Sequence, residues 1–322
     1  MPEVLPLVWV LADDRAGNVA QALGVAEALG WPFERKNLSY TRLAGLPNAL
    51  RGASLLGVAE SCRGALSPPW PDLVIAAGRR TAPVARWIRR QHPAARLCQV
   101  MDPGWPGRED FALIAVPNHD ADVTAAPNLL RITGAPHRVT PERLACEAEI
   151  WRPQLEHLPR PWIALIVGGA TKSHTFTATQ AQRLAELAGG MAAKAGGSLL
   201  VTSSRRTGAE AESSLAAFLP RPLHWFRWGD GGDNPYFGYL ALADHIVVTG
   251  DSVSMVCEAC ATPAPVSIFA PTGMIGAKHS RLHADLVAKG FARMLDGTLA
   301  GGTHPPLNAA RVVADRLRGL MA

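Results

Sequence analysis

Continuous apolar runs, each closed by a glycine or polar turn and followed by a helical pattern, constrain this chain most. Asp72-Leu73-Val74-Ile75-Ala76-Ala77 and Trp162-Ile163-Ala164-Leu165-Ile166-Val167 do not alternate with polar residues. A strand of that kind is buried on both faces, as in a parallel sheet covered by helices. Further strands are expected at Val4–Leu11, Phe33–Leu38, Leu97–Met101, Phe111–Val116 and Leu129–Thr133. The rhythm restarts with Ser198–Ser203, Leu223–Phe226, Ile246–Val248, Val266–Phe269 and Phe291–Leu295. Between them, helices are expected with Val19, Leu23, Ala26 and Leu29 on one face, closed by Gly30, and at Ala53–Arg63, Ala82–Gln91 and Ala209–Phe218. A short helix falls within 141–160, and two more run over Ser280–Lys289 and Asn308–Leu320. A long helix from about Thr177 carries a capping-box match, Thr177-x-x-Gln180.

At 322 residues the chain exceeds what one core usually serves, so two domains are expected. Pro153, Pro159 and Pro161 place the linker near 152–161. A hydrophobic share of 48% argues against wholesale disorder. A net charge of +5 tolerates phosphate-rich ligands or an anionic membrane face but is too mild to argue nucleic acid. Five scattered cysteines make a disulfide framework improbable and suit a reducing compartment. The start, Met1-Pro2-Glu3, lacks a basic leader, and no run approaches the length of a membrane span.

The stretch from Ala243 to Ala270 is the most informative. Strand Ile246–Val248 leads into Thr249-Gly250-Asp251-Ser252, then a helix burying Val253, Val256, Cys257 and Cys260. Asp251, Ser254 and Glu258 share that spacing on another face. The helix start at Asp251–Ser254 offers unpaired N–H groups to an anion. Glu258, two turns in, can accept from a vicinal diol such as a ribose. The plainer alternative is that Asp251 or Ser252 caps the helix and Glu258 is solvated.

Other turns carry similar chemistry. Gly168-Gly169-Ala170-Thr171-Lys172-Ser173 suits a pyrophosphate, although the Gly-Lys-Ser/Thr ending of a P-loop is missing. Gly78-Arg79-Arg80-Thr81 before a helix suits an anion, with simple surface arginines as the alternative. Arg86, Arg89 and Arg90 read as a solvated face. Gly229 to Tyr236 lacks the ligand order of a calcium loop. Cys257-x-x-Cys260 stands without a second pair and reads as packing. His279-x-x-x-His283 lacks a third ligand and reads as a surface pair, so no metal is expected. No dinucleotide fingerprint or esterase elbow is present.

Gly168-Gly169, the loop at 273–276 and the Asp251…Glu258…Pro265 unit resemble the C-terminal half of GT-B glycosyltransferases, in particular the peptidoglycan N-acetylglucosaminyltransferase. In those enzymes a carboxylate at the place of Glu258 holds the ribose of a nucleotide sugar. Over its full length the chain resembles the Elongated-Mitochondria-type mitochondrial fission family and its bacterial members. The motifs are Asp14…Gly17-Asn18, Gly78-Arg79-Arg80-Thr81, Gly168-Gly169, Asn234-Pro235-Tyr236-Phe237 and Thr249-Gly250-Asp251-Ser252-Val253-Ser254-Met255. Plant relatives act as adaptors in mitochondrial division, and bacterial members have been labelled nucleotide-sugar epimerases. The peptidoglycan enzyme carries a basic His in its first loop, where this chain has Asn18, which takes no proton at neutral pH.

The resemblance implies an α/β fold of two Rossmann-like domains facing a cleft, over 1–155 and 156–305, with a C-terminal helix at 306–322 crossing back to the first. It implies a nucleotide-diphosphate sugar as substrate, with no separate cofactor. Glu258 would bind ribose, and Gly168, Gly169, Thr171, Asn234, Asp251, Ser252 and Ser254 would line the nucleotide side. Lys172 or Arg79 would neutralise charge, and Asp14 is the candidate base. The acceptor stays open, a lipid-linked molecule at the membrane surface being one candidate, in a cytoplasmic protein peripheral to the inner membrane. A non-catalytic adaptor and a nucleotide-sugar epimerase are the alternatives.

Overall fold

A computed structural model describes residues 5–120 and 123–322. Among them the chain divides into two compact units, one of 5–120 and 123–138 with 308–322 and one of 139–307. Each is a six-stranded parallel sheet wrapped by helices. The first four residues of the expected opening strand include Val4, which lies outside the described residues.

The first unit runs β1 Val8–Ala12, α1 Ala16–Leu29, β2 Phe33–Asn37, α2 Asn48–Arg51, α3 Glu60–Arg63, β3 Leu73–Ala77, α4 Ala82–Gln91, β4 Arg96–Val100, β5 Leu113–Pro117 and β6 Leu129–Ile132. Its strand order is β2-β1-β3-β4-β5-β6. Every residue of β1, β3 and β5 is buried, which is why those runs do not alternate. The helix expected over Ala53–Arg63 is only the single turn α3. Gly57 breaks it: its φ is +87°, and any Cβ there would press on the Ala44 backbone. Arg86 and Arg89 are not a solvated face. Arg86 pairs with Asp110 at 2.5 Å, and Arg89 donates to the Asp110 carbonyl.

The second unit runs α5 Pro141–Leu155, β7 Trp162–Ile166, α6 Ala178–Ala195, β8 Ser198–Thr202, α7 Ala209–Phe218, β9 Leu223–Phe226, α8 Tyr236–Leu242, β10 His245–Thr249, α9 Val253–Ala259, β11 Val266–Phe269, α10 Ala277–Ala288 and β12 Arg293–Met294. Its strand order is β12-β11-β10-β7-β8-β9. Packing changes hands at 138/139, upstream of the proline-rich 152–161, because α5 packs against α8. Helix α8 has no sequence signal. Gly238 interrupts its pattern, yet that glycine is what lets it close on α5, since a Cβ there would enter the Trp151 ring.

The capping box at the start of α6 forms as expected. Thr177 Oγ1 accepts from the Gln180 N–H at 3.2 Å, and Gln180 Oε1 accepts from the Thr177 N–H at 3.0 Å. Thr177→Ala is expected to cost about 1 kcal/mol, read as a lower urea midpoint for the second unit.

The last helix, α11 Ala309–Met321, returns to the first unit. Val313, Ala314 and Leu317 join the core that holds Val25 and Leu29 of α1. Arg318 Nη2 donates to the carbonyls of Ala28 at 2.6 Å and Leu29 at 2.9 Å, satisfying the open C-terminal end of α1.

Candidate functional site

In an open parallel sheet, ligands bind beyond the carboxyl ends of the strands, where the winding direction reverses. The second unit winds from β7 outward to β8 and β9, then from β10 outward to β11 and β12, so its reversal lies between β7 and β10. The loops leaving those two strands are Gly168-Gly169 and Gly250-Asp251-Ser252. Two motifs singled out from sequence thus meet at the position that topology favours.

The meeting is tight. Gly168 N–H donates to Thr249 Oγ1 at 2.7 Å, and its carbonyl accepts from Thr207 Oγ1 at 2.5 Å and Ser204 Oγ at 2.8 Å. A Cβ on Gly168 would enter the Asp251 carboxylate, and one on Gly169 would enter the Arg206 backbone. Gly169 has φ +156° and donates its N–H to Asp251 Oδ2 at 3.0 Å. Arg206 Nη1 lies 2.8 Å from the same oxygen and donates to the Ala170 carbonyl at 3.1 Å.

Asp251 therefore differs from its expected place. It precedes the N-cap, Ser252, and its side chain is wholly buried beneath the Gly-Gly turn instead of sharing a helix face with Ser254 and Glu258. One of its oxygens, Oδ1, has no partner among the described residues. Ser252 Oγ caps α9 by accepting from Met255 N–H at 3.4 Å, and Ser254 is half-buried in the first turn. Thr171 Oγ1 accepts from the His174 N–H at 3.1 Å and shapes the loop, while Lys172 is exposed.

Glu258 sits at the far end of α9, half-buried. Its Oε2 accepts from the Tyr236 hydroxyl at 2.5 Å. Burial raises its pKa, against the opposing pull of the Tyr236 bond and the Arg143 charge. Burial, then the Glu258 charge, pushes the Tyr236 hydroxyl well up, so it stays a donor. Asn234 is exposed, and its Oδ1 accepts from Tyr236 N–H at 3.0 Å, fixing the start of α8.

His283 is no surface histidine. It is buried, with its ring filling the space that the missing side chain of Gly250 leaves open. No local sequence signal gives Tyr236, Ser204, Arg206, Thr207 or His283 these contacts. Tyr236 belongs to a quoted motif, and the Ser204–Thr207 turn follows a strand. Their partners lie dozens of residues away, which no local pattern reveals.

The first unit has its own reversal, between β1 and β3. There Asp13 Oδ2 accepts from Asn18 Nδ2 at 2.9 Å, and Asn18 packs on Gly78. Asp14 is exposed, and both its oxygens accept from Arg80 Nη1, at 2.7 and 2.8 Å. Arg79 is spent on the chain itself, donating to the Leu46 carbonyl at 2.7 Å and to those of Gly45 and Ala44 at 3.4 and 3.5 Å. Among the described residues no group of three or more His, Cys, Asp or Glu side chains is placed to hold a metal, and no helix is long and apolar enough to cross a membrane.

Two sheets of this winding define a protein of the GT-B fold. Solved structures agree at the level of fold. UDP-GlcNAc 2-epimerase from Neisseria meningitidis, solved bound to UDP-GlcNAc, superposes with a TM-score of 0.54 at 11% identity, covering 98% of this chain and 99% of that one. UGT89C1 from Arabidopsis thaliana, complexed with quercetin, gives 0.50 at 12% identity, covering 98% and 90%. The chain belongs to the mitochondrial fission ELM1 family, whose model matches residues 16–321. It is 27% identical to an uncharacterized protein of Rickettsia prowazekii, over 97% of each chain. It is also 27% identical to the mitochondrial fission protein ELM1 of Arabidopsis thaliana, over 86% of this chain and 70% of the relative.

Proposed function

We propose that the second unit binds a nucleotide-diphosphate sugar at the reversal between β7 and β10, and that the protein transfers the sugar to an acceptor. The observation that carries this is the side-chain-free Gly168-Gly169 turn lying beside the start of α9. The turn's own N–H groups are taken by Thr249, Asp251 and the Arg206 carbonyl, so a diphosphate beside it meets the open N–H groups at the start of α9. Thr171, Ser252 and Ser254 supply hydroxyls around it, and Lys172 supplies mobile positive charge. Asp251 serves the turn, not the ligand, through its bonds to Gly169 and Arg206. Glu258 takes the ribose hydroxyls on the oxygen that Tyr236 leaves open, and Asn234 holds Tyr236 in place. The ligand in the Neisseria structure, UDP-GlcNAc, belongs to this chemical class.

In the transfer, the bond from the sugar to the diphosphate breaks and a bond to an acceptor oxygen forms, the acceptor's proton passing to a base. Asp14 is the candidate base. Both its oxygens rest on Arg80, so it accepts a proton only once that pair opens. The same observation favours a second reading, a non-catalytic adaptor that retains the fold; the Arabidopsis relative is named a mitochondrial fission protein. An epimerase is the third reading, and product analysis without acceptor separates it from a transferase.

Calorimetry with a panel of uridine, guanosine and cytidine diphosphate sugars tests the binding. Glu258→Gln is expected to weaken the best ligand at least tenfold, since it removes a charge-assisted acceptor, and Tyr236→Phe by roughly threefold. Heat with no member of the panel, or Glu258→Gln binding as tightly as the unaltered chain, sinks the proposal.

A further inference from the structure

We propose that the first unit carries an anion site, built from Arg51, Arg80 and the turn from Gly78 to Thr81, that takes a phosphate-bearing molecule. It does not rest on the nucleotide reading of the second unit.

Arg51 is the first observation. It is only 2% exposed. Its Nε donates to the Leu56 carbonyl at 3.1 Å and its Nη2 to the Arg80 carbonyl at 3.2 Å, so it lies directly behind the turn. Its Nη1 is buried and has no partner among the described residues. The charged and titratable groups acting on it are Tyr40, Arg79 and Arg80: a phenol and two more guanidiniums. An arginine does not shed its proton in a protein. A buried charge facing like charges, without a counter-ion, costs free energy that a bound anion offsets.

The turn is the second observation. The backbone N–H groups of Arg79, Arg80 and Thr81 make no hydrogen bond among the described residues. Thr81 Oγ1 points back to the carbonyls of Ala77 and Gly78, at 3.0 and 2.9 Å, and does not cap the ten-residue α4. Unused N–H groups at a helix start carry partial positive charge. Arg80 adds a planar fork suited to phosphate.

A carboxylate already stands at this fork. Asp14 places both oxygens on Arg80 Nη1, while its own side chain is 54% exposed. It occupies the ground that two oxygens of a phosphate would take, and it can leave for solvent when a doubly charged group arrives. Arg51 stays one carbonyl behind and contributes field. Arg79 stays on the Ala44–Leu46 carbonyls and braces the loop.

The test titrates the full chain with inorganic phosphate at ionic strength held constant with chloride. Asp14→Asn is expected to tighten phosphate at least threefold, by removing the competing carboxylate. Arg80→Gln is expected to weaken it at least tenfold, and Arg51→Gln to weaken it where that variant folds. Lys194→Gln, an exposed lysine in the last turn of α6 in the second unit, is expected to leave it unchanged. Sedimentation with phosphatidylcholine vesicles, with and without phosphatidic acid, distinguishes the source. Arg80-dependent capture by the acidic vesicles assigns a lipid headgroup, and phosphate binding without such capture assigns a soluble ester; either supports the site. The proposal is overturned if Asp14→Asn fails to tighten phosphate, if Arg80→Gln binds it normally, or if Lys194→Gln weakens it as much as Arg80→Gln does. Failure of nucleotide binding in Glu258→Gln leaves all three readouts standing, so the two proposals fail separately.

Discussion

Gly169→Ala is expected to lower the stability of the second unit by roughly 3 kcal/mol or more and to abolish nucleotide binding. Two costs combine. The backbone at Gly169 has φ +156°, where L residues are rarely found. The added methyl would also enter the Arg206 backbone, which cannot rotate away as a side-chain tip can. Relieving the clash means separating the 168–170 turn from the 204–207 turn. That breaks the Gly169 bond to Asp251, the Ala170 N–H bond to the Arg206 carbonyl at 2.8 Å, and the Arg206–Asp251 pair. Gly190→Ala is the control. It sits inside α6 with open space at the Cβ, so alanine there is expected to stabilise by about 0.5–1 kcal/mol. Urea unfolding of both variants, with calorimetry for the ligand, checks the pair. Equal midpoints for the two would remove the structural basis assigned to the turn.

Acidification from pH 7 to pH 4 is expected to weaken the second unit by several kcal/mol. His245 is buried in β10 with Nε2 2.9 Å from Ser267 Oγ, and burial, then the Arg293 charge, pushes its pKa down to about 4. His283 is likewise pushed down to about 4, by burial and then by His279. In the unfolded chain both titrate near 6.5, as an ordinary histidine does. Between those values the unfolded state binds more protons than the folded one. Stability is therefore whole above about pH 6.5 and is lost as pH falls towards 4, on the order of 3 kcal/mol per histidine. Urea midpoints at pH 7.5, 5.5 and 4.5 measure the slope, and His245→Gln is expected to flatten it. Identical slopes in variant and unaltered chain would show that the loss comes from other groups.

The Gly-Gly turn and the Asp251–Glu258 stretch were legible because the physics behind them is local. A strand buried on both faces needs an unbroken apolar run, and a turn into a helix needs glycine and small polar residues. The same locality explains the helices read from capping and period, such as α4, α7 and the start of α6. It also explains the misreadings. Ala53–Arg63 has helical composition, but Gly57 must pass against Ala44. His279 and His283 look like a surface pair until Gly250, in the turn after β10, opens a slot for one ring.

By itself, then, the sequence determined two rounds of parallel strands and helices, where their loops fall, and which loops carry glycine, carboxylate and arginine. Only the tertiary structure decided what those groups do. It turned Asp251 inward to hold Gly169 and Arg206, set Tyr236 on Glu258, spent Arg79 on carbonyls, and left Arg51 buried without a counter-ion. The reason is physical. Burial and chain reversal bring together groups far apart in sequence, and a charge's role depends on which neighbours remain once water has been excluded.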